Sequence, residues 1–512
     1  MRTMNSKNIK IYDVKEGDSG VLYLTDQYGN TEKYQPDCDL DKTQELLYEF
    51  YQLKTNKGTL VKDSFVIDSR DWFPNTVCTL YWQYFFQLVK YRKIIDKYIE
   101  NEIAFSNISS GRFKKLILLI DGVSDNILKK YAKNFYHKII CLRNHLMVRK
   151  NGDILLYKYT IDDFRVKEIS QELESEYNIL NICWVDKKNV LKNLFNRDIF
   201  YYSLPSPIVE NKVQIVNEPS FIFSQAIRLV QSTIKTQIIA KNNIAKTFRL
   251  LNYKLFLGLD DANVVYPLLY SSKEVGIRTV GIQHGLYARR HEAYILNSID
   301  CYDWYENVIV WGKYWKDIVV KNSRLFSNDY HLVGSNKHTY KVGMSNYNES
   351  NNKTILIPYE YVADTIKVGE YIKKLIDCGF EIYFKLRTDR ITDVQIKAYE
   401  LDDYESKIHI INDISPSIMD KIDIVAGSMT TLLFDLLPYK KPIWVFDTSF
   451  RLLYDMVEAD MARLITEADM AEIENIYIQD MKNNSNIDLE YVSGKTPIVE
   501  IVKDILNSIP KF

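Results

Sequence analysis

The stretch Thr279-Val280-Gly281-Ile282-Gln283-His284-Gly285-Leu286-Tyr287 sets a β-branched run directly before a polar triplet closed by glycine. A strand buried on both faces of a parallel sheet has this character, and open α/β sheets bind their ligands at the carboxyl ends of such strands. A second junction of the same construction lies far downstream, at Ile422-Asp423-Ile424-Val425-Ala426-Gly427-Ser428-Met429-Thr430-Thr431. Its small, hydroxyl-rich turn opens a helix, where backbone N–H groups and the helix dipole favour an anion. Two such junctions predict an α/β chain of two Rossmann-type, doubly wound lobes facing a central cleft, with a phosphate-bearing donor held between them.

The surrounding pattern divides accordingly. Strands are expected at 64–67, 115–120 and 138–142, the last two closing a β-α-β unit around a helix that ends near 134. Further strands are expected at 254–258 and 308–312, with helices over 219–246 and 266–273. A polar, asparagine-rich stretch at 340–352 reads as a linker. Beyond it the pattern restarts, with strands at 353–357, 380–386, 407–411, 422–426 and 442–446 and helices at 365–377 and 430–437. Ser415-Pro416 is expected to cap a helix, with proline at its favoured first position. The predicted domains are an N-terminal, acceptor-side lobe over 1–335 (less regular over about 1–110), a nucleotide-donor lobe over 345–495 and a C-terminal helix over 496–512.

A chain of 512 residues exceeds what one core accommodates, so two domains are the default. The 66 Lys and Arg balance 67 Asp and Glu, which gives no support for a nucleic-acid partner. Six cysteines lie scattered without CxxC or metal-ligand spacing and read as reduced thiols of a cytoplasmic protein. His137 and His145 lack ligand partners at useful spacing, and Asp37-Cys38-Asp39 reads as a helix start, so no metal or cofactor is expected. The aromatic segment 77–89 is too short to span a bilayer. It reads as a buried amphipathic helix, and it is also where a peripheral contact with the inner face of the plasma membrane would be sought.

Over roughly 254–447, the order of these pieces resembles the GT-B glycosyltransferases of bacterial surface and capsule polysaccharide synthesis. The capsule-polysaccharide transferases and the CDP-glycerol glycerophosphotransferase group are the most similar. The resemblance rests on the acidic strand end Asp260-Asp261, Gln283-His284-Gly285, Val310-Trp311-Gly312, His331-Leu332-Val333-Gly334-Ser335, and the block from Gly427-Ser428 to Pro442. It implies a metal-independent transferase moving a sugar or polyol phosphate from a nucleotide-activated donor to a glycan or lipid-linked acceptor. The same fold also serves sugar-nucleotide epimerases and hydrolases, and a non-catalytic component of an assembly complex is a third reading.

His284 is the candidate base, since an imidazole can take a proton from an acceptor hydroxyl near neutral pH. Asp260 and Asp261 are alternative bases. Gly285 is expected to serve close backbone approach or a positive φ. With Gln283 and Gly285, the expected donor contacts are Gly427, Ser428, Thr430 and Thr431 at the helix start, and Lys385 and Arg387 at the end of a strand. The last two stand where relatives carry a lysine and a His-Pro pair. Asp435, one turn into the helix, is placed to hold ribose hydroxyls, and Tyr359 or Tyr361 to stack on a base.

Overall fold

The structure is a computed structural model of the chain. It describes residues 9–17, 20–109, 111–121, 127–163, 165–185, 195–206, 220–260, 265–300, 302–327, 330–335, 353–360, 364–387, 392–482 and 487–510. The chain divides into two compact units, each built from separated segments. One comprises Met1–Leu46, Trp82–Leu118 and Thr339–Leu489; the other comprises Leu47–Tyr81, Leu119–His338 and Glu490–Phe512. Residues 1–46 and 82–118, assigned by sequence to the first lobe, thus belong with the downstream sheet. Local pattern cannot report which distant partner a segment packs on.

The second unit holds a seven-stranded, all-parallel sheet. Its order is His331–Val333, Asn307–Val310, Arg278–Ile282, Leu255–Leu259, Ile154–Lys158, Ile179–Trp184, Ile199–Tyr202. The chain runs outward from Ile154–Lys158 to one edge, returns beside it at Leu255–Leu259, and runs outward to the other edge. The strand order therefore reverses between these two strands, the place where such sheets open a crevice at their carboxyl ends. Gly258 and Gly281 stand side by side in the register. A Cβ at Gly281 would lie 2.7 Å from the Tyr305 ring, and one at Gly258 would lie 2.2 Å from its hydroxyl oxygen. Both glycines are therefore needed to let Tyr305 cross the strands and donate to the Leu259 carbonyl at 2.9 Å.

The first unit holds a six-stranded parallel sheet in the order Ile408–Ile411, Phe380–Lys385, Lys353–Pro358, Ile424–Gly427, Ile443–Phe446, Arg463–Ile465. Here the order reverses between Lys353–Pro358 and Ile424–Gly427. Its core gathers Ile355, Ile357, Ile372, Leu375, Phe384, Ile424 and Trp444, all wholly buried. The helix Thr365–Asp377 covers it, capped by the Asp364 carboxylate, which accepts from the Lys367 amide at 3.2 Å. Ser415 caps Pro416–Met419 in the same way. A four-stranded sheet made of Thr31–Tyr34, Leu22–Asp26, Lys10–Glu16 and Ile103–Ile108 completes this unit.

Several sequence expectations are corrected. Residues 115–120 lie in the helix Arg112–Ile120, and 138–142 lie in the helix Ile127–Met147, so no β-α-β unit forms there. The apolar run was compatible with either state, and burial decides it. Phe113, Leu116, Ile117 and Ile120 go inside at helical spacing. Of 64–67, only Val66–Ile67 is strand, paired antiparallel with Arg70–Asp71 across Asp68 and Ser69, both at positive φ. The aromatic segment over 77–89 is core: Tyr81, Tyr84, Phe85, Phe86 and Leu88 are buried, and Trp82 stands near Phe86 and Phe450. It offers no membrane face. The linker over 340–352 lies outside the described residues. The helix Ile498–Ser508 belongs with the seven-stranded sheet, where Pro497 bridges Ser335.

Candidate functional site

Strand register decides which polar groups meet. Leu259 pairs with Ile282, so the residues just past these strand ends, Asp260 and His284, stand at one sheet edge beside the point of strand reversal. The Asp260 carboxylate is buried and its Oδ1 accepts twice from His284, from the backbone N–H at 3.0 Å and from Nδ1 of the ring. Its Oδ2 accepts from the Tyr287 hydroxyl. A carboxylate acceptor at Nδ1 places the ring proton there, so Nε2 carries the basic lone pair. Nε2 turns toward the Tyr294 hydroxyl at 3.0 Å. Burial and the Asp260 charge together push the Tyr287 phenol well above its ordinary pKa, which keeps it a donor to that carboxylate.

The arrangement is an imidazole oriented by a buried carboxylate. Asp260 is covered by His284 and Tyr287, so its carboxylate meets the imidazole and the phenol and not open solvent. Asp261 lies outside the described residues. Gln283 is buried, with Nε2 donating to the Gly285 carbonyl at 2.8 Å and Oε1 accepting from the Trp311 amide at 2.9 Å. Both ends of its amide are engaged by backbone, so it shapes the loop that carries His284. Gly285 has no positive φ, and a Cβ there would meet no protein atom within 4 Å, so the positive-φ reason for a glycine does not hold.

A small cavity of about 20 Å³ adjoins the pair, lined by Asp260, Tyr287, Tyr294, Tyr302, Trp304 and His331 among others. That is room for one water. His331 is buried in its wall, and its Nδ1 has no hydrogen-bond partner among the described residues. Burial, aided by the charge of Lys316, holds this imidazole down at about 3. Below the ordinary histidine pKa the unfolded chain takes up a proton that the folded one refuses, so stability is lost as pH falls from about 6.5 toward 3. At pH 5 the loss from His331 alone is expected to be about 2 kcal/mol. Urea unfolding of the wild type and of His331→Gln at pH 7 and pH 5 checks this; the variant should lose less on acidification.

At the strand reversal of the other sheet, the expected anion turn is already filled. Glu360, two residues past Lys353–Pro358, is buried with its carboxylate in the turn after Ile424–Gly427. It accepts from the Ser428 amide at 2.9 Å, the Met429 amide at 2.8 Å, the Thr430 amide at 2.8 Å and the Ser428 hydroxyl at 2.6 Å. Burial raises its pKa, opposed by these donors. A Cβ at Gly427 would lie 2.9 Å from Oε1, so glycine is needed to admit the carboxylate. The turn where Gly427, Ser428, Thr430 and Thr431 were expected to receive a diphosphate thus holds the Glu360 carboxyl group. The Thr430 hydroxyl accepts from the Leu432 amide at 3.2 Å, and Thr431 and Asp435 bound the short helix Leu432–Asp435.

Tyr359 is buried against Tyr399 and cannot stack on a ligand base; Tyr361 lies outside the described residues. Lys385 and Arg387 remain at the carboxyl end of Phe380–Lys385, the first half-buried and the second exposed, with Gln395 bracing the Arg387 backbone through both ends of its amide. Sequence reasoning missed Tyr287, Tyr294 and Glu360 as partners. The usable signal for Glu360 was its place just past a strand end, where Asp260 stands in the other sheet.

No family model matches the chain, and no curated protein matches it. Solved structures do. The glycotransferase of kitacinnamycin is 10% identical, covering 71% of this chain and all of its own, at a TM-score of 0.45. The wall teichoic acid polymerase TagF, soaked with CDPG, is 13% identical, covering 75% of this chain and 98% of its own, at 0.38. The UDP-GlcNAc 2-epimerase from Neisseria meningitidis, bound to UDP-GlcNAc, is 14% identical, covering 69% and 99%, at 0.39. Likenesses at this level leave the reaction of this chain to be read from its own residues.

Proposed function

We propose that the protein is a GT-B-type transferase that moves a sugar or polyol phosphate from a nucleotide-activated donor to a surface-glycan acceptor, with His284 as the base. The observation that carries this reading is the Asp260–His284 pair at the carboxyl ends of two parallel strands. His284 Nε2 takes the proton from the acceptor hydroxyl as its oxygen bonds to the transferred group. The bond from that group to the departing phosphate breaks, and the nucleotide leaves with the electron pair. Asp260 stabilises the imidazolium, as a buried carboxylate at Nδ1 does. Lys385 and Arg387 are assigned to the donor phosphates, the guanidinium suiting bidentate pairing. Thr431 and Asp435 are assigned to donor hydroxyls.

The test is a thermal-shift screen of CMP, CDP, UDP and GDP with their common sugar and glycerol conjugates, followed by nucleotide release with and without an acceptor glycan. Saturating ligand should raise apparent stability by a few kcal/mol, at about 100 to 1,000 times its Kd. One nucleotide class should shift the wild type and not Arg387→Ala, and release should depend on acceptor. Acceptor-independent turnover would turn the reading to an epimerase or hydrolase. No shift with any nucleotide would sink it.

A further inference from the structure

In the seven-stranded sheet the strand order reverses between Ile154–Lys158 and Leu255–Leu259, and a ligand crevice opens at the carboxyl ends of such a pair. Asp260 follows one of these strands and belongs to the histidine pair. Tyr159 follows the other. Leu257 pairs with Leu156, so Asp260 and Tyr159 stand level, three residues further on. The row continues away from the reversal. Lys158 pairs with Cys183, which sets Tyr159 beside Trp184, and Trp184 pairs with Tyr202. The backbone keeps this order to the rim, the Trp184 amide donating to the Tyr159 carbonyl at 3.3 Å and the Val185 amide to the Tyr202 carbonyl at 2.9 Å. Three aromatic residues in register therefore run outward from Asp260 along the carboxyl edge.

Their side chains make a platform. The Tyr159 and Trp184 rings lie 8° from parallel with centres 6.5 Å apart, and Tyr202 meets Trp184 edge to face at 5.1 Å. Exposure rises along the row toward the reversal: Tyr202 is buried, Trp184 half-buried and Tyr159 46% exposed. A polar fork is fixed at the rim. The buried Asp163 carboxylate accepts from the Tyr159 amide at 2.8 Å and holds the Arg165 guanidinium at 2.9 and 2.7 Å. The guanidinium carbon stands 5.8 Å from the centre of the Tyr159 ring. An exposed aromatic face with an oriented, planar donor beside it suits a pyranose, whose C–H face lies on the ring while its hydroxyls meet the donor. Two strand spacings, about 10 Å, separate the Tyr159 strand from the His284 strand. That exceeds one sugar ring, so the platform takes a residue behind the one that reacts.

We infer that Tyr159, backed by Trp184 and flanked by Arg165, binds a pyranose ring of an oligosaccharide. That this oligosaccharide is the acceptor rests on the transferase reading; the sugar binding itself does not. The test is saturation-transfer NMR of the full chain, without any donor, against the linear trisaccharides of glucose, galactose and N-acetylglucosamine. Glycerol phosphate, which has no ring to stack, is the control. At least one trisaccharide should take up saturation through its ring C–H protons, and glycerol phosphate should not. Tyr159→Ala should weaken that binding at least about tenfold, a loss of about 1.4 kcal/mol, while Tyr159→Phe keeps the stacking face and binds as the wild type does. Urea midpoints of both variants should stay near the wild-type value, which separates a lost platform from a lost fold. No saturation of any trisaccharide, or wild-type binding by Tyr159→Ala, would overturn the inference. Either result beside a nucleotide hit in the thermal-shift screen would remove the subsite and leave the transferase standing. Sugar binding that needs Tyr159, with no nucleotide hit, would uphold the subsite and remove the transferase.

Discussion

His284→Ala is expected to lower the turnover number by about a thousandfold while the chain stays folded, general-base groups contributing about 10²–10⁴. The ring is partly exposed and is held by hydrogen bonds, so its loss opens no core cavity. Asp260→Asn should fall nearly as far for a different reason. An asparagine can turn its amide N–H toward Nδ1, which moves the ring proton to Nε2 and takes away the base. Tyr287→Phe removes one donor to the Asp260 carboxylate and should cost about tenfold at most, in line with a lost charge-assisted hydrogen bond of about 1.5 kcal/mol. The losses should appear in kcat with KM little changed, since the pair acts on the transferred proton more than on ground-state binding. Single-turnover assays with the nucleotide from the thermal-shift screen measure this. Full activity in His284→Ala would end its assignment as the base.

Glu360→Ala is expected to destabilise the protein by about 3 kcal/mol or more, because three backbone N–H groups and the Ser428 hydroxyl lose their acceptor inside the sheet edge. Glu360→Gln keeps one oxygen for the Met429 and Thr430 amides and should recover part of that loss. Urea unfolding reads both. The contrast matters for function as well as stability. If the turn after Ile424–Gly427 were instead an open phosphate site, Glu360→Ala would fold as well as the wild type and bind pyrophosphate more tightly. That pair of results would restore the diphosphate assignment to Ser428 and Thr430.

The candidate site was legible in part. His284 stood out because a histidine between a polar residue and a glycine ended a strongly apolar run, and local pattern carries that signal. Asp260 was visible for the same reason, but its role was not. Whether a carboxylate meets the acceptor or the histidine depends on a register between strands 24 residues apart. Glu360 illustrates the limit more sharply. Its sequence neighbourhood gave no sign that it would reach Ser428, 68 residues on, because that contact exists only after two parallel strands have paired. The helix at 127–147 failed for another reason. Only 138–142 reads as a strand there, because a short apolar run fits both periods, and the face the helix turns inward was set by partners on Ile199–Tyr202.

By itself the sequence determined the alternation of strand and helix, most clearly in Leu255–Leu259, Arg278–Ile282, Thr365–Asp377 and Phe380–Lys385, because periodicity and capping are local properties. It also determined that the chain would form more than one core, and that a histidine would end a central strand. Only the tertiary structure decided that Asp260 would lie under His284, that Glu360 would occupy the turn meant for an anion, and which face of Ile127–Met147 would look outward. Each of these depends on strand order and register, which are set by packing across long stretches of chain and leave no periodic mark on any one of them.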